Sequence, residues 1–176
     1  AMAHRDPATA GHEHRVSDLS VAIGRALGFD DERLEGLGLA AMVHDMGQIQ
    51  VPAEILTRPR RLGQEEFELV KQHVATGREI LKDIDFPWPI ADVVWQHHEN
   101  YDGSGYPRGL AGQQLLLEAR IIRVADSGEA MLSHRPFRRA HTLEYAMAEL
   151  EAGAGTQYDP EVAATYAAAG LTTLSL

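Results

Sequence analysis

HHENYDGSGYP, residues 97 to 107, is the stretch on which the reading of this chain turns. Two adjacent histidines followed by an acid are costly to bury unless partners satisfy them. Gly103 and Gly105 predict a tight loop whose backbone adopts dihedrals closed to other residues or approaches something closely, and Pro107 limits how that loop ends. A plain helix end with a glycine turn is the ordinary alternative. The run of polar residues at its head favours a site.

Outward from this motif, apolar residues recur with helical periodicity and strand-like alternation is scarce. Pro89 is placed as the first helical residue of PIADVVWQHH, which delivers His97 and His98 near its C-terminal end. Upstream, GQEEFELVKQHVATGREIL (63–81) predicts one helix with acids in its first turn, favourable toward the helix dipole, and it carries His73. Val16, Leu19, Val21, Ile23, Ala26 and Leu27 are spaced for an earlier helix that stops at Gly28. Asp30 caps the next, whose buried stripe is Leu34, Leu37 and Ala41 and which Gly47 ends just after His44 and Asp45. Downstream, residues 101–114 read as loop and 115–133 as a helix carrying Asp126. Two more helices close the chain, the last introduced by Asp159-Pro160. The expectation is a single all-α domain over residues 1–176, a helical bundle of about seven helices. Residues 1–11 are expected to be a tag or a linker from a preceding regulatory domain.

A chain of 176 residues with 44% hydrophobic composition suits one domain with a real core. Its formal charge of −10 offers no basic track for DNA or RNA, which are excluded as partners. A small anionic ligand stays compatible, because a few arginines or metal ions invert the field locally. With no cysteine there are no disulfides, thiolate ligands or cysteine nucleophile, which fits a reducing compartment. Neither a membrane-spanning run nor a signal peptide is present in this segment, so a cytoplasmic location is expected.

His12, His44, Asp45, His73, His97, His98 and Asp126 form one chemical set. Taken singly, each has an ordinary alternative: His12 and His73 as satisfied helix histidines, His44-Asp45 as a hydrogen-bonded helix end. Asp126, which follows the apolar run IIRVA, is harder to place without a cation beside it. Imidazole with carboxylate and no thiolate suits iron, manganese, nickel or zinc better than calcium or magnesium. Seven such groups exceed one tetrahedral site and suit two ions about 3.5 to 4 Å apart that share a carboxylate and a water, the arrangement of metal-assisted phosphoester hydrolysis. His12 and His14 lie about 200° apart on a helix, so they do not chelate one ion together.

The order H-x-x-R-V (12–16), HDMG (44–47), HxxxG (73–77), HHENYDGSGYP (97–107), VAD (124–126), RPFR (135–138) and YDP (158–160) resembles the HD-GYP phosphodiesterases, a subfamily of the HD metal-dependent phosphohydrolases. The resemblance implies an all-helical fold and hydrolysis of cyclic di-GMP in bacterial second-messenger signalling, to linear pGpG and onward to GMP in some members. It implies two divalent ions, iron or manganese, with nickel and zinc as alternatives. His12, His44, Asp45 and Asp126 would hold one ion, and Asp45 would bridge to a second held by His73, His97 and His98. Arg135 and Arg138 match positions facing the ligand phosphates, where guanidinium forks pair with oxygen. Asp102 and Tyr106 of the glycine loop join Gln48 as expected substrate contacts. The resemblance also implies an upstream receiver or sensor domain and a diguanylate cyclase (GGDEF) partner engaged through the GYP loop.

Three residues depart from the family pattern. Gln48 stands where a lysine is usual, and losing one charged hydrogen bond costs roughly 1.5–3 kcal/mol, about one to two orders of magnitude in rate if made at the transition state. Ala8 stands where three-metal members carry a glutamate, so a third ion is not expected. Gly128 replaces an aromatic, which is expected to open the pocket or loosen the helix carrying Asp126. These departures leave two other readings: a module that binds cyclic dinucleotide or a partner cyclase domain with weakened turnover, and a phosphodiesterase for another cyclic dinucleotide.

Overall fold

The computed structural model describes residues 11–57, 60–134 and 139–173. Among them there is no β-strand, only an isolated bridge between Ala154 and Tyr158. The all-α expectation holds. The helices are α1 (His12–Ala26), α2 (Asp31–Val43), α3 (Ala53–Leu56), α4 (Gln64–Lys71), α5 (His73–Leu81), α6 (Ile90–Gln96), α7 (Leu117–Leu132), α8 (Leu143–Ala152) and α9 (Pro160–Thr173). Short 3₁₀ turns at Met46–Gln50 and Gly112–Gln114 complete the order. No described helix is long and apolar enough to cross a membrane.

The described residues form nine helices, not about seven, because two expectations fail locally. The connection after Gly47 contains the single-turn α3, and the helix expected over 63–81 is broken at Gln72. At that break His73 Nδ1 donates to the Val70 carbonyl at 2.6 Å, and the Gln72 N–H bonds Leu69 O at 3.2 Å. A side chain thus takes a carbonyl that the helix ladder would use, and the chain tightens to i→i+3 bonding there.

α1 lies against α2, α7 and α9, and α5 lies against α6 and the Met46–Gln50 turn. Val16 and Ile23 of α1, Leu37 of α2, Ile90 and Val94 of α6, and Ile121, Ile122 and Val124 of α7 fill the centre, each almost wholly buried. Local signals set several boundaries as the sequence implies. Asp30 Oδ1 accepts the Arg33 N–H at 2.9 Å, and Asp159 Oδ1 accepts the Glu161 N–H at 2.8 Å beside Pro160.

Gly128 neither opens a pocket nor leaves α7 loose. A Cβ there would meet the Tyr166 ring at 2.5 to 2.7 Å, and Tyr166, on α9, is completely buried. The volume given up by the missing aromatic of α7 is filled from another helix. Burial pushes the Tyr166 hydroxyl up to about 12, with Glu129 adding to the effect, so it remains a neutral filler of the core.

Candidate metal centre

Five helices and one turn converge on the histidine set. α1 begins with His12, and His44 and Asp45 follow the end of α2. His73 starts α5, His97 and His98 follow α6, and Asp126 sits midway along α7. The donor atoms form two groups, each with its members within 4.8 Å of one another: His12, His44 and Asp126, and Asp45, His73, His97 and His98. Asp45 reaches both. Its Oδ2 is 3.6 Å from His44 Nε2, whereas its Oδ1 is 3.2 Å from His73 Nε2 and 3.8 Å from His97 Nε2.

The imidazoles are oriented by a repeated local device. His44, His73 and His97 each donate Nδ1–H at 2.6 Å to the carbonyl three residues earlier, of Ala41, Val70 and Val94. Each therefore carries its proton on Nδ1 and turns Nε2 inward as a lone pair. His44 Nε2 is buried with no hydrogen-bond partner. An orphaned lone pair beside a carboxylate, in a set of nitrogen and oxygen donors, is what a divalent cation satisfies, and the residues present fit such an ion.

His12 is held differently. Its Nδ1 meets Glu129 Oε2 at 2.5 Å, and its Nε2 lies 3.3 Å from Asp126 Oδ1. Glu129, 3% exposed, also accepts from Arg15 Nε at 2.6 Å and from the Ser133 hydroxyl at 2.5 Å. Glu129 is a residue that the reading of the sequence missed. Its signal was positional: Glu129 is three residues after Asp126 and Arg15 three after His12, so both pairs share one helix face.

Without a cation the site sorts its charges by environment. Burial opposes the imidazolium at His12, but the hydrogen bonds it donates to Asp126 and Glu129 override this and raise His12 to about 10. Burial also opposes ionisation of Asp45, which the field of His44 and the hydrogen bonds of His73 and His97 nonetheless hold well below the usual carboxylate range. Asp126 is likewise lowered against burial, chiefly by His12. Burial pushes His97 down, and it pushes His98 well down with His97 adding to the effect. His97 and His98 are thus held in the neutral form that ligation requires, whereas Asp45 raises His73 against burial, and His12 keeps a proton that a cation must displace.

Close approach explains two motif glycines. A Cβ on Gly47 would lie 1.9 Å from the His73 carbonyl oxygen, so only glycine lets α5 bring His73 against Asp45. At Gly105 it would lie 2.3 Å from Asn100 N and 2.5 Å from His98 O. The loop thus folds back on the histidine pair, and the Tyr106 N–H bonds His98 O at 3.2 Å. The Tyr106 ring stacks on His98 with centroids 5.0 Å apart, and the Tyr106-Pro107 peptide is cis. Glu99 is buried, and its Oε1 accepts the Arg108 N–H at 2.7 Å, pinning the loop exit. Asp102 stays at the surface, its Oδ1 accepting the Ser104 N–H at 2.9 Å and the Ser104 hydroxyl at 2.6 Å. Gln48 is half-buried in the turn after Asp45. Arg135, Arg138 and Ala8 lie outside the described residues.

Comparison with known proteins agrees with this geometry. The HD domain family model matches residues 1–162. Over 162 residues the chain is 39% identical to the cyclic di-GMP phosphodiesterase response regulator RpfG of Xanthomonas campestris pv. campestris, covering 91% of this chain and 43% of the relative. Over 157 residues it is 37% identical to the 3'3'-cGAMP-specific phosphodiesterase 3 of Vibrio cholerae, covering 89% of this chain and 34% of that one. Among solved structures, Bd1817, an HD-GYP-type protein from Bdellovibrio bacteriovorus, superposes with a TM-score of 0.74 at 22% identity, over 89% of this chain and 50% of that one. The chain belongs to the HD domain family. It spans less than half the length of these curated relatives.

Proposed function

We propose that this chain is a metal-dependent phosphodiesterase that opens cyclic di-GMP to linear pGpG. The observation that carries the reading is the Asp45 carboxylate, which turns one oxygen toward His44 and the other toward His73 and His97. A carboxylate split between two donor groups would serve both ions of a binuclear centre. The names of its relatives support the substrate class.

In this reading His12, His44 and Asp126 would hold one ion and His73, His97 and His98 a second, with Asp45 serving both and iron or manganese as the pair. A bound pair supplies Lewis acidity and makes water a nucleophile near neutral pH. The chain's own residues orient and neutralise the ligand. Tyr106 forms the wall beside His98, the Gln48 amide donates to a phosphate oxygen without adding charge, and Arg135 and Arg138 pair with phosphate as guanidinium forks. Burial holds the Tyr106 hydroxyl above its ordinary range, so it serves as a neutral donor. Asp102, committed to Ser104, shapes the loop, and its role as a substrate contact is an expectation from the motif alone.

Opening one diester creates a terminal phosphate with about one further negative charge. Gln48 in place of lysine, and Ala8 in place of a third-ion ligand, leave little to hold that more anionic product in a protein of charge −10. Product release as pGpG follows. The reading places the domain in the cytoplasm, downstream of a receiver or sensor domain, with a GGDEF cyclase as partner through the GYP loop. Incubation with cyclic di-GMP after iron or manganese loading under reducing conditions, followed by chromatography, tests it. Accumulating pGpG with late or absent GMP is expected. Stoichiometric GMP without a pGpG phase contradicts the product assignment, and an intact substrate with metal bound contradicts the activity.

A further inference from the structure

Beside the metal centre stands a helix that buries nothing. α4 has no buried residue, although it carries Phe67, Leu69 and Val70, and it is held instead by its first turn. Glu66 Oε2 accepts the Gly63 N–H at 2.8 Å, and Arg60 closes a two-pronged pair on Glu66 at 2.9 and 3.0 Å. Phe67 is 46% exposed, a large aromatic surface left open to water.

That surface is continuous with the site. The His98 ring is stacked by Tyr106 at 5.0 Å, and Tyr106 is met edge-on by Phe67 at 6.3 Å and 84°. Lys71, one turn further along α4, places its ammonium 5.5 Å from the centroids of both Phe67 and Tyr106. A row of rings thus leads outward from a metal-group histidine to an exposed aromatic face with a cation beside it. Aromatic face plus ammonium is the combination that binds nucleotides, the face stacking on a base and the cation pairing with phosphate. The Lys71 ammonium is paired at 2.7 Å with Glu68 Oε1, an exposed i,i+3 pair of small net worth that a phosphate can displace.

We propose that Phe67 and Lys71 form a nucleotide subsite of the phosphodiesterase cleft: Phe67 stacks on one purine of the cyclic dinucleotide, and Lys71 pairs with the phosphate not undergoing attack. The proposal rests on the phosphodiesterase reading above. It assigns α4 a ligand instead of a protein interior, which accounts for a helix whose apolar residues pack so little. Exchanging Glu68 for phosphate, Lys71 also supplies a positive charge that Gln48 does not.

The test compares wild type with Phe67→Ala, Phe67→Trp and Lys71→Met, each metal-loaded and checked for helix content by circular dichroism. Equilibrium binding and turnover are measured with cyclic di-GMP, and turnover also with bis(p-nitrophenyl) phosphate, a diester that has no purine. Phe67→Ala is expected to raise Kd and KM for cyclic di-GMP about tenfold, within the range of base stacking, with kcat and the purine-free rate unchanged. Phe67→Trp is expected to restore affinity. Lys71→Met is expected to weaken binding and flatten its salt dependence. Wild type that binds while Phe67→Ala binds equally well overturns the subsite and leaves the phosphodiesterase reading standing. Equal losses on both substrates also overturn it, as does loss of a cyclase-domain contact with unchanged nucleotide affinity. Wild type that binds no cyclic dinucleotide overturns the phosphodiesterase reading and the subsite together.

Discussion

His12 and Glu129 are joined at 2.5 Å through Nδ1, so the histidine that opens α1 is aimed at Asp126 by a carboxylate on the opposite helix. This is a carboxylate–histidine pair of the kind that fixes tautomer and ring orientation in metal sites. Glu129→Gln is therefore expected to lower metal affinity about 10- to 100-fold, with Glu129→Asp losing less. Metal titration monitored by calorimetry checks this. Unchanged affinity in Glu129→Gln would mean that the pair serves stability alone.

The same contact gives metal binding a pH dependence. His12 is raised to about 10, so below that pH the metal-free protein carries a proton that an incoming cation must displace. Apparent affinity should rise with pH across 6 to 8, by about tenfold per unit for each proton released. Calorimetry in buffers of different ionisation enthalpy counts those protons. Affinity independent of pH, or rising as pH falls, would contradict the protonation state drawn from the geometry.

Gly128 and Tyr166 make a stability prediction of unusual sign. Alanine normally improves a helix interior by about 1 kcal/mol over glycine, yet here its Cβ would enter the Tyr166 ring. Overpacking costs roughly 1–3 kcal/mol, so Gly128→Ala is expected to lower Tm. In a background of Tyr166→Leu the same change should cost less or stabilise, a coupling that a double-mutant cycle by thermal denaturation measures. A more stable Gly128→Ala in the parent chain would refute this packing.

Gln48→Lys adds a positive charge where family members carry one. Turnover under saturating metal is expected to rise by about one order of magnitude. A variant that is unchanged or slower would show that this charge does not limit the reaction.

The fold class and the histidine set were legible because both rest on local rules. Helical periodicity reports burial directly, and caps such as Asp30 and Asp159 act within three residues. What was not legible depends on partners distant in sequence. The break at Gln72 arises from the side chain of His73 capturing the Val70 carbonyl, which no propensity signals. Gly128 read as a loss because its replacement, Tyr166, comes from α9. Glu129 offered only its spacing from Asp126, because its meaning lies in His12, 117 residues away. Gln48 and Asp102 remain expectations of motif, and Arg135 and Arg138 fall outside the described residues.

The central claim is that one carboxylate joins two metal positions, and metal stoichiometry in Asp45→Asn tests it most directly. Asp45 touches both donor groups, so the account predicts that elemental analysis finds two ions per wild-type chain and none in Asp45→Asn, with hydrolysis abolished and the helical spectrum intact. An Asp45→Asn protein that retains two ions and hydrolyses cyclic di-GMP would contradict it.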